Sequence, residues 1–554
     1  MNYLQFCSNC VVIVEKYYAL GEFKLTQFHL ADLFEIVAAR IPDRIALADE
    51  KGEMTYAQLN ARASHLAAGL FSSEIKRGDH VGLYLMNGPE YLESFIALIK
   101  IGAVPFNVNY RYGFEELKYL FGNADAAAVI HGAEFSPMVE RLMADLPALK
   151  TAITVEDGQG VAHAGLDYEV LMHDDGADAA YERDKTDYLL QYTGGTTGMP
   201  KGVMWPHKAF FYACLGGGGM YQRKPPIDIP SEQGDTAESM YPMRIMPLAP
   251  LMHGAAMWAA WTSLLGGVTI VLDPLRGGFD AERIWDRVER EGVNSIQIVG
   301  DAMAVPLLEA LKANPGRWDL SRFMHLGNGG AVFSQHLKEA FKGPIPNIMV
   351  TDGMGTSETG ISGLAAPVKD GGFMRLPVDE HQTVIMDGRI VDVGETGYLS
   401  RTGHTPIGYY GDPEKTAEIF QEIDGTLWVL TGDQARLDDD GMMTVLGRGS
   451  TCINSGGEKV YPEEVEEVLR AHPAIHDAAV IGMPDPKWGE AVSALVSLSK
   501  VKDAPTLDEV KAFCRDKLAG YKLPKTLKVV PEIHRSPAGK QDYKWAHSVL
   551  TEAI

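Results

Sequence analysis

The chain has 554 residues, more than one hydrophobic core organises, so two or more domains are expected. Its 46% hydrophobic and 22% charged content is that of a globular protein and excludes disordered and fibrous classes. A formal net charge of −24 opposes non-specific binding to nucleic acid or to anionic membranes, while leaving room for a local basic path to a nucleotide.

The opening "MNYLQFCSNCVVIVEKYYALGEFK" has no basic leader and no small-residue cleavage site, so residues 1–25 read as an extension and not as a signal peptide. Cys7 and Cys10 form one CxxC with no second pair and no His-rich partner, which disfavours zinc. With Cys214, Cys452 and Cys514 they make no disulfide framework, and a reducing cytoplasm is expected.

Apolar strands then alternate with amphipathic helices. "TYAQLNARASHLAAGLF" predicts a helix capped by Thr55. "HVGLYLM" predicts a strand, and "PEYLESFIALIKIG" a helix with Pro89 near its start and Gly102 at its end. "AVPFNVN", "FEELKYLFGNA" and "AAAVIH" continue as strand, helix and strand. The alternation predicts an α/β fold with largely parallel sheets.

Residues 192–202, "YTGGTTGMPKG", follow the apolar "DYLLQ". Glycines let backbone N–H groups converge on an anion. Thr193, Thr196 and Thr197 add hydroxyls and Lys201 a charge, so the stretch reads as a phosphate loop. It is not a Walker A loop, because Pro200 precedes Lys201 and Gly202 follows it.

No Asp, Glu, Lys or Arg stands between Arg244 and Asp273, a run long enough to span a bilayer. His253, Thr262 and Ser263 interrupt it, and Gly266-Gly267 marks a turn where a span would continue. "HGAAMWAAWTSLL" and "VTIVL" are therefore expected to be a buried helix and a buried strand. "DAERIWDRVEREG" and "VNSIQIVG" follow as helix and strand.

Past the acidic turn in "ARLDDDGMMTVLGRGS" a compact α+β pattern begins. "PEEVEEVLRAH" reads as a helix, "AIHDAAVIGMP" and "AVSALVSLS" as strands, and "TLDEVKAFCRDKLAG" as a helix. A large domain over 26–447 and a small one over 448–554 are expected. Gly447 and Gly449 supply the backbone freedom of a hinge.

Further motifs share the chemistry of the first loop. His253 precedes Gly254, where backbone can approach a ligand. Gly327, Gly329 and Gly330 after a strand suit a flat ring lying on backbone. "DGMGTSETG" offers Thr356 and Ser357 as hydroxyls for phosphate and Glu358 as a carboxylate for a metal. Asp433 in "LTGDQ" can accept from two ribose hydroxyls, Arg448 is a further donor, and Lys540 stands beside Gly539 in "RSPAGKQDYKW".

In this order and across most of the chain, these pieces resemble the adenylate-forming family of acyl-CoA synthetases, luciferases and peptide-synthetase adenylation domains. "GTSETG", "GYYGDPEKTAEIF", "GRGSTCINSGGEKVYPEEVEEVL" and "RSPAGKQDYKWA" are similar to the actinobacterial long-chain and steroid-side-chain acyl-CoA synthetases. The resemblance implies a large domain of layered sheets and helices under a small α+β lid that rotates between two half-reactions. It implies ATP, Mg²⁺ and CoA as cofactor and co-substrates, with Lys540, Glu358, Thr196 and His253 as the catalytic set. Thr193, Gly194, Gly195, Thr196, Thr197, Gly198 and Lys201 would cradle the β,γ-phosphates. Gly329, Gly330 and Ala331 would carry adenine beside Met354 and Gly355. Thr356 and Ser357 would approach the α-phosphate and Glu358 would hold Mg²⁺. Asp433 and Arg448 would bind ribose. Lys540 would bridge the substrate carboxylate and α-phosphate. After rotation, Gly456, Gly457 and Lys459 would face the pantetheine channel.

Two positions depart from the family pattern. Met354 stands where an aromatic residue usually stacks on adenine, and Ser450 stands at the hinge in place of Asp or Lys. The expected partners are a carboxylic acid, ATP and CoA, with no nucleic acid and no integral membrane span; peripheral membrane contact and a homo-oligomer stay open. The apolar "FFYACLGGGGM", "HGAAMWAAW" and "GDAMAVPLLEAL" point to a large apolar acid, a long-chain fatty acid or a steroid side-chain acid. No Asp or Lys stands where an amino-acid substrate's ammonium group would need a partner, except Asp301. The rival readings are a medium-chain or aromatic acid ligase, a carrier-protein-loading enzyme, a luciferase-like oxygenase and a non-catalytic nucleotide-binding protein.

Overall fold

The computed structural model describes residues 28–551 except 157–164, 173–180, 194–198, 223, 275–277, 366–373, 449–450, 456–457, 486–487, 500–503, 516, 519 and 536–540, with backbone alone at 448, 454, 458, 459 and 489. The N-terminal extension with Cys7 and Cys10 therefore lies outside the described residues. So do Gly449 and Ser450 at the hinge.

One eight-stranded sheet has the order Gly360–Leu364, Met349–Thr356, His325–Gly329, Ser295–Ile298, Arg244–Pro247, Thr269–Val271, Ile45–Ala48, Glu53–Thr55. All neighbours in it are parallel except the pairings at its two edges. A second sheet has the order Gly408–Tyr409, Gly202–Pro206, Tyr188–Tyr192, Val104–Asn107, His80–Tyr84, Ala128–Gly132, Thr151–Val155, Leu166–Asp167. It is parallel from Tyr188–Tyr192 onward and antiparallel where Gly202–Pro206 and Gly408–Tyr409 close its edge.

The two sheets face each other across a layer of helices. Their shared core takes Leu47 and Ile270 from one sheet, Val81, Ile130 and Trp205 from the other, and Phe34, Leu66, Phe210 and Trp261 from the helices between. The charge-free run belongs to this layer: Gly254–Leu265 is a helix buried from Ala256 to Leu265 except at Ala259. A helix apolar on every side needs apolar neighbours on every side, and two flanking sheets supply them. Among the described residues no helix is long and apolar enough to cross a membrane.

The outer faces are covered by helices with one apolar stripe. Ala281–Glu291 and Asp301–Ala313 pack Ile284, Trp285, Leu307 and Leu311 against one sheet. Phe114–Asn123 packs Leu117, Leu120 and Phe121 against the other. Capping follows the sequence reading: the Thr55 hydroxyl accepts from the Gln58 N–H at 3.2 Å, and the Gln58 side chain accepts from the Thr55 N–H at 2.8 Å.

Residues 375–448 depart from the expectation of largely parallel sheets. They build a seven-stranded sheet that is antiparallel throughout. Short hairpin connections such as Asp438–Gly441 leave no chain for a crossover helix, and without one neighbouring strands cannot run parallel. A fourth sheet of five strands follows, led by the long hairpin Ile475–Asp485 and Gly489–Leu498. Pro462–Arg470 and Leu507–Cys514 cover it. The second helix is described over Leu507–Cys514, and 516 and 519 of the predicted stretch lie outside the described residues. The Lys517 and Leu518 N–H groups both return to the Cys514 carbonyl, at 3.0 and 2.8 Å, and that turn drops Leu518 into the core.

Candidate active site

The site is built where strand ends of both parallel-rich sheets meet. Gln191, 2% exposed on Tyr188–Tyr192, is its internal brace. Its amide donates to Ser357 Oγ at 3.3 Å and accepts from Trp258 Nε1 at 3.1 Å. Trp205 Nε1 donates to the Ser357 carbonyl at 2.8 Å. Asn107 donates to the carbonyls of Tyr192 and Met252 at 3.1 and 2.8 Å, and accepts from the Tyr192 N–H at 2.7 Å. Thus the root of the expected phosphate loop, the segment leading to His253 and the "TSE" hairpin are tied together by neutral, partly to fully buried hydrogen bonds.

Of the loop itself, Gly194, Gly195, Thr196, Thr197 and Gly198 lie outside the described residues. Its neck is closed by the Thr193 N–H donating to the Lys201 carbonyl at 3.1 Å. Lys201 Nζ is 2.6 Å from Asp412 Oδ2 and 5.4 Å from the centroid of the Tyr409 ring. The same Tyr409 hydroxyl donates to Glu358 Oε1 at 2.9 Å. So the cation expected to meet phosphate and the carboxylate expected to meet a metal share one tyrosine. Thr356 Oγ1 accepts from the Glu358 N–H at 3.3 Å and lies 3.0 Å from Thr359 Oγ1.

His253 is the N-cap residue of Gly254–Leu265, in extended conformation. A Cβ on Gly254 would stand 2.6 Å from Gln191 Nε2, so the close approach expected there is an approach to the brace.

The turn expected to carry adenine follows the strand His325–Gly329. Gly330 has φ +90°, which favours glycine, and a Cβ there would lie 3.8 Å from that of Ala255. Buried Asn328 shapes the turn: it donates to the Ala331 carbonyl at 2.9 Å and to Asp352 Oδ1 at 2.7 Å, and accepts from the Gly300 N–H at 2.6 Å. Burial pushes the Asp352 carboxyl up, against the opposing pull of Lys338 at 2.7 Å. Met354 and Gly355 lie on Met349–Thr356; Met354 packs toward the antiparallel sheet, against the cluster of Leu376 and Val445.

Asp433 is buried on Thr426–Leu437, where its N–H donates to Thr431 Oγ1 at 3.1 Å. It stands opposite Arg448 in register, which places both ribose candidates on one rung. The Arg448 side chain is outside the described residues, as are the Lys459 side chain, Gly456, Gly457 and Lys540. Asp301, the candidate ammonium partner, is engaged elsewhere: it accepts from the Ser334 N–H at 2.8 Å and the Ser334 hydroxyl at 2.5 Å.

Gln191, Asn107, Asn328 and Tyr409 were not singled out from sequence. Tyr409 sits inside the quoted "GYYGDPEKTAEIF", and Gln191 immediately precedes the loop, so position beside a motif was the available signal.

Comparison with known proteins identifies the family. The model of AMP-binding enzymes matches residues 34–410, and that of the AMP-binding enzyme C-terminal domain matches 464–540. A 3-oxocholest-4-en-26-oate–CoA ligase of Rhodococcus rhodochrous is 41% identical over 532 residues, covering 94% of this chain and 95% of that one. A medium/long-chain-fatty-acid–CoA/3-oxocholest-4-en-26-oate–CoA ligase of Mycobacterium marinum is 40% identical over 533 residues, covering 94% and 96%. The crystal structure of the anthranilate CoA ligase AuaEII with anthranoyl-AMP shares the fold at a TM-score of 0.79 and 24% identity, covering 94% of this chain and 98% of that one. The chain therefore belongs to the AMP-binding enzymes and is an AMP-forming acid–thiol ligase.

Proposed function

We propose that the enzyme activates a large apolar carboxylic acid, a long-chain fatty acid or a steroid side-chain acid, and passes it to CoA. The observation that carries this reading is the pairing of an apolar wall with the relatives' substrates. The wall is the buried pair of helices His207–Leu215 and Gly254–Leu265, with Ala255 facing Gly330 of the adenine turn. Both relatives named above act on a steroid acid, and one also on medium and long fatty acids. The engagement of Asp301 with Ser334 supports an acid without an ammonium group.

A carboxylate is a poor acyl donor because its leaving group would be oxide. Attack of its oxygen on the α-phosphorus of ATP forms acyl-AMP and expels pyrophosphate. The CoA thiol then attacks the carbonyl and AMP departs. In this scheme Thr193, residues 194–198 and Lys201 hold the β,γ-phosphates. Asp433 and Arg448 hold ribose, and Gly329 to Ala331 with Met354 hold adenine. Thr356 and Ser357 face the α-phosphate, and His253 lies at the mouth of the acyl path. Lys540 meets the charge that develops between carboxylate and phosphate. Gly456, Gly457 and Lys459 serve the thioester step.

The donors at Glu358 fit Mg²⁺, a hard cation that prefers one or two carboxylates with phosphates and water: one carboxylate is held by the Tyr409 hydroxyl with the Thr356 hydroxyl beside it. There the ion would neutralise phosphate charge. The domains divide at 447/448 in this reading, where Gly447 has φ +113°. A cytoplasmic location fits Cys214, Cys452 and Cys514, which form no disulfide among the described residues.

The test is a panel of acetate, benzoate, octanoate, palmitate and a steroid side-chain acid, with CoA-dependent AMP release measured under one set of conditions. Burial of apolar surface yields about 25 cal/mol per Å², so the large acids should lead in kcat/KM by several powers of ten. A preference for acetate or benzoate would overturn the substrate assignment.

A further inference from the structure

The small domain carries a buried ionic cluster that the ATP and CoA sites do not use. Arg470 ends the helix Pro462–Arg470, and its side chain is 2% exposed. Four carboxylates surround it: Glu466 at 3.3 Å, Asp477 at 3.5 Å, and Glu467 and Asp301 at 3.9 Å each. Among the described residues only the Glu466 contact is a hydrogen bond, and Nε and Nη1 have none. A buried guanidinium with spare donors is costly as a purely structural device, and its neighbours give it another use.

Two of those neighbours hold the described residues on either side of 536–540, the stretch that contains Lys540. Arg535 and Gln541, on either side of 536–540, form an isolated antiparallel bridge. Arg535 forks onto Asp477, with Nη2 at 2.8 and 2.7 Å from its two oxygens. Gln541 donates to the Ala478 carbonyl at 2.6 Å and hydrogen-bonds Glu466, whose Oε1 also accepts from the Val480 N–H at 2.8 Å. Arg470 lies between Asp477 and Glu466 and screens each carboxylate from the other.

The other two neighbours reach the large domain. Asp301 belongs to it directly, and its N–H donates to the Val332 carbonyl of the adenine turn at 3.0 Å. Glu467 accepts from the Gln335 N–H at 3.0 Å, just past Ser334, which Asp301 holds. Arg470 is thus shared between the residues flanking 536–540 and the rim of the turn expected to carry adenine. Its contact with Asp301 is one of charge without a hydrogen bond, so a moving lid can release it without orphaning a donor that was paired.

We propose that Arg470 is a positioning residue for adenylation: it holds together Arg535 and Gln541, which flank the stretch containing Lys540, and seats them on Asp301 beside the turn proposed to carry adenine. The inference rests on the assignment of Lys540 to the adenylation step. Without the Arg470 charge, among the described residues Arg535 is the arginine left paired within the cluster, through Asp477, and the four carboxylates repel one another across the domain contact.

The experiment compares Arg470→Met, Arg470→Lys, Lys540→Ala and the Arg470→Met/Lys540→Ala double variant, using whichever acid of the panel above turns over fastest. Single-turnover acyl-AMP formation and acyl-CoA formation from preformed acyl-AMP are measured separately. Arg470→Met should slow adenylation by about 10²-fold, the size expected of a misplaced catalytic group, and the thioester step by under about threefold. Arg470→Lys should recover much of the loss. In the Lys540→Ala background, Arg470→Met should cost nothing more, because the lysine it positions is gone. Equal loss in both half-reactions, or additive losses in the double variant, would overturn the proposal. If Lys540→Ala itself adenylates normally, the lysine assignment falls and takes this inference with it. If Lys540→Ala fails but Arg470→Met does not, only the inference falls. Should Arg470→Met not fold, Asp301→Asn removes the charge that Arg470 faces across the domains, and Ser334→Ala, which loses the hydroxyl bond to Asp301 without the charge, serves as its control. Asp301→Asn should give a several-fold loss confined to adenylation, and an unchanged rate would refute the seating on Asp301.

Discussion

Replacing Tyr409 by Phe removes one oxygen from the centre of the proposed phosphate and metal site. The ring stays, so its packing in the core and the 5.4 Å approach of Lys201 to its face are kept. What is lost is the 2.9 Å hydrogen bond to Glu358 Oε1. A hydrogen bond to a charged group contributes about 1.5–3 kcal/mol, which is roughly 10- to 150-fold in rate if its whole effect falls on the transition state. Only 6% of the tyrosine is exposed, so water has little access to take the hydroxyl's place. Glu358 should then sample orientations that no longer face the β,γ-phosphates. The expected outcome is a fall of about 10- to 150-fold in kcat/KM for ATP, with a raised Mg²⁺ requirement. ATP–pyrophosphate exchange, followed across a Mg²⁺ titration, reads both. Stability should fall by no more than the lost bond is worth, about 1.5–3 kcal/mol. An unchanged Mg²⁺ curve with wild-type exchange would show that the Tyr409–Glu358 bond is structural, and would remove the reason for placing the metal there.

Glu358→Gln keeps the size and loses the charge, so adenylation should fall while preformed acyl-AMP still binds; wild-type turnover with the same Mg²⁺ dependence would count against it. Lys540→Ala should lower acyl-AMP formation by about 10²–10³-fold and leave thioester formation from acyl-AMP near the wild-type rate, as rapid-quench assays can separate. Gln191→Leu leaves the indole N–H of buried Trp258 without its acceptor, and should cost about 1–3 kcal/mol of stability, read by urea denaturation. Acid stability should depend on Glu35: burial pushes its carboxyl up, but the hydrogen bond from Arg183 and the Lys100 charge outweigh burial and bring it from 4.5 down to about 2. Its folded pKa is depressed, so its contribution is complete above about 4.5 and is lost as pH falls toward about 2. Glu35→Gln should therefore flatten the stability curve in that window, and an unchanged slope would refute the assignment.

The local elements were legible where one physical rule dominated. The charge-free run between Arg244 and Asp273 resolved into helix and strand because Gly266-Gly267 breaks it, and the two sheets around it explain why no charge is tolerated. Thr55, Pro89 and Pro462 mark helix starts because their chemistry is local. The antiparallel sheet over 375–448 was not legible. Its strands carry mixed polar and apolar residues, and its pairing depends on hairpins whose turns look like ordinary loops. At the site, charged and glycine-rich motifs stood out, but the neutral braces did not. Gln191 pairs with Ser357 and Trp258, and Asn107 with Met252, across separations that no local pattern encodes. The role of Asp301 was likewise hidden: in sequence it is an acid near an apolar helix, and only the fold brings Ser334 and Arg470 to it.

The central claim is that the carboxylate itself attacks the α-phosphorus, and an oxygen label tests it directly. An acid carrying oxygen-18 in its carboxylate is incubated with enzyme, ATP, Mg²⁺ and CoA, and the nucleotide product is examined by mass spectrometry. Attack through the acyl oxygen followed by thiol displacement leaves one labelled oxygen in AMP and none in pyrophosphate. Unlabelled AMP, or label in inorganic phosphate with ADP as the product, would contradict the acyl-adenylate route and the assignment of Lys540, Glu358 and residues 193–201 that depends on it.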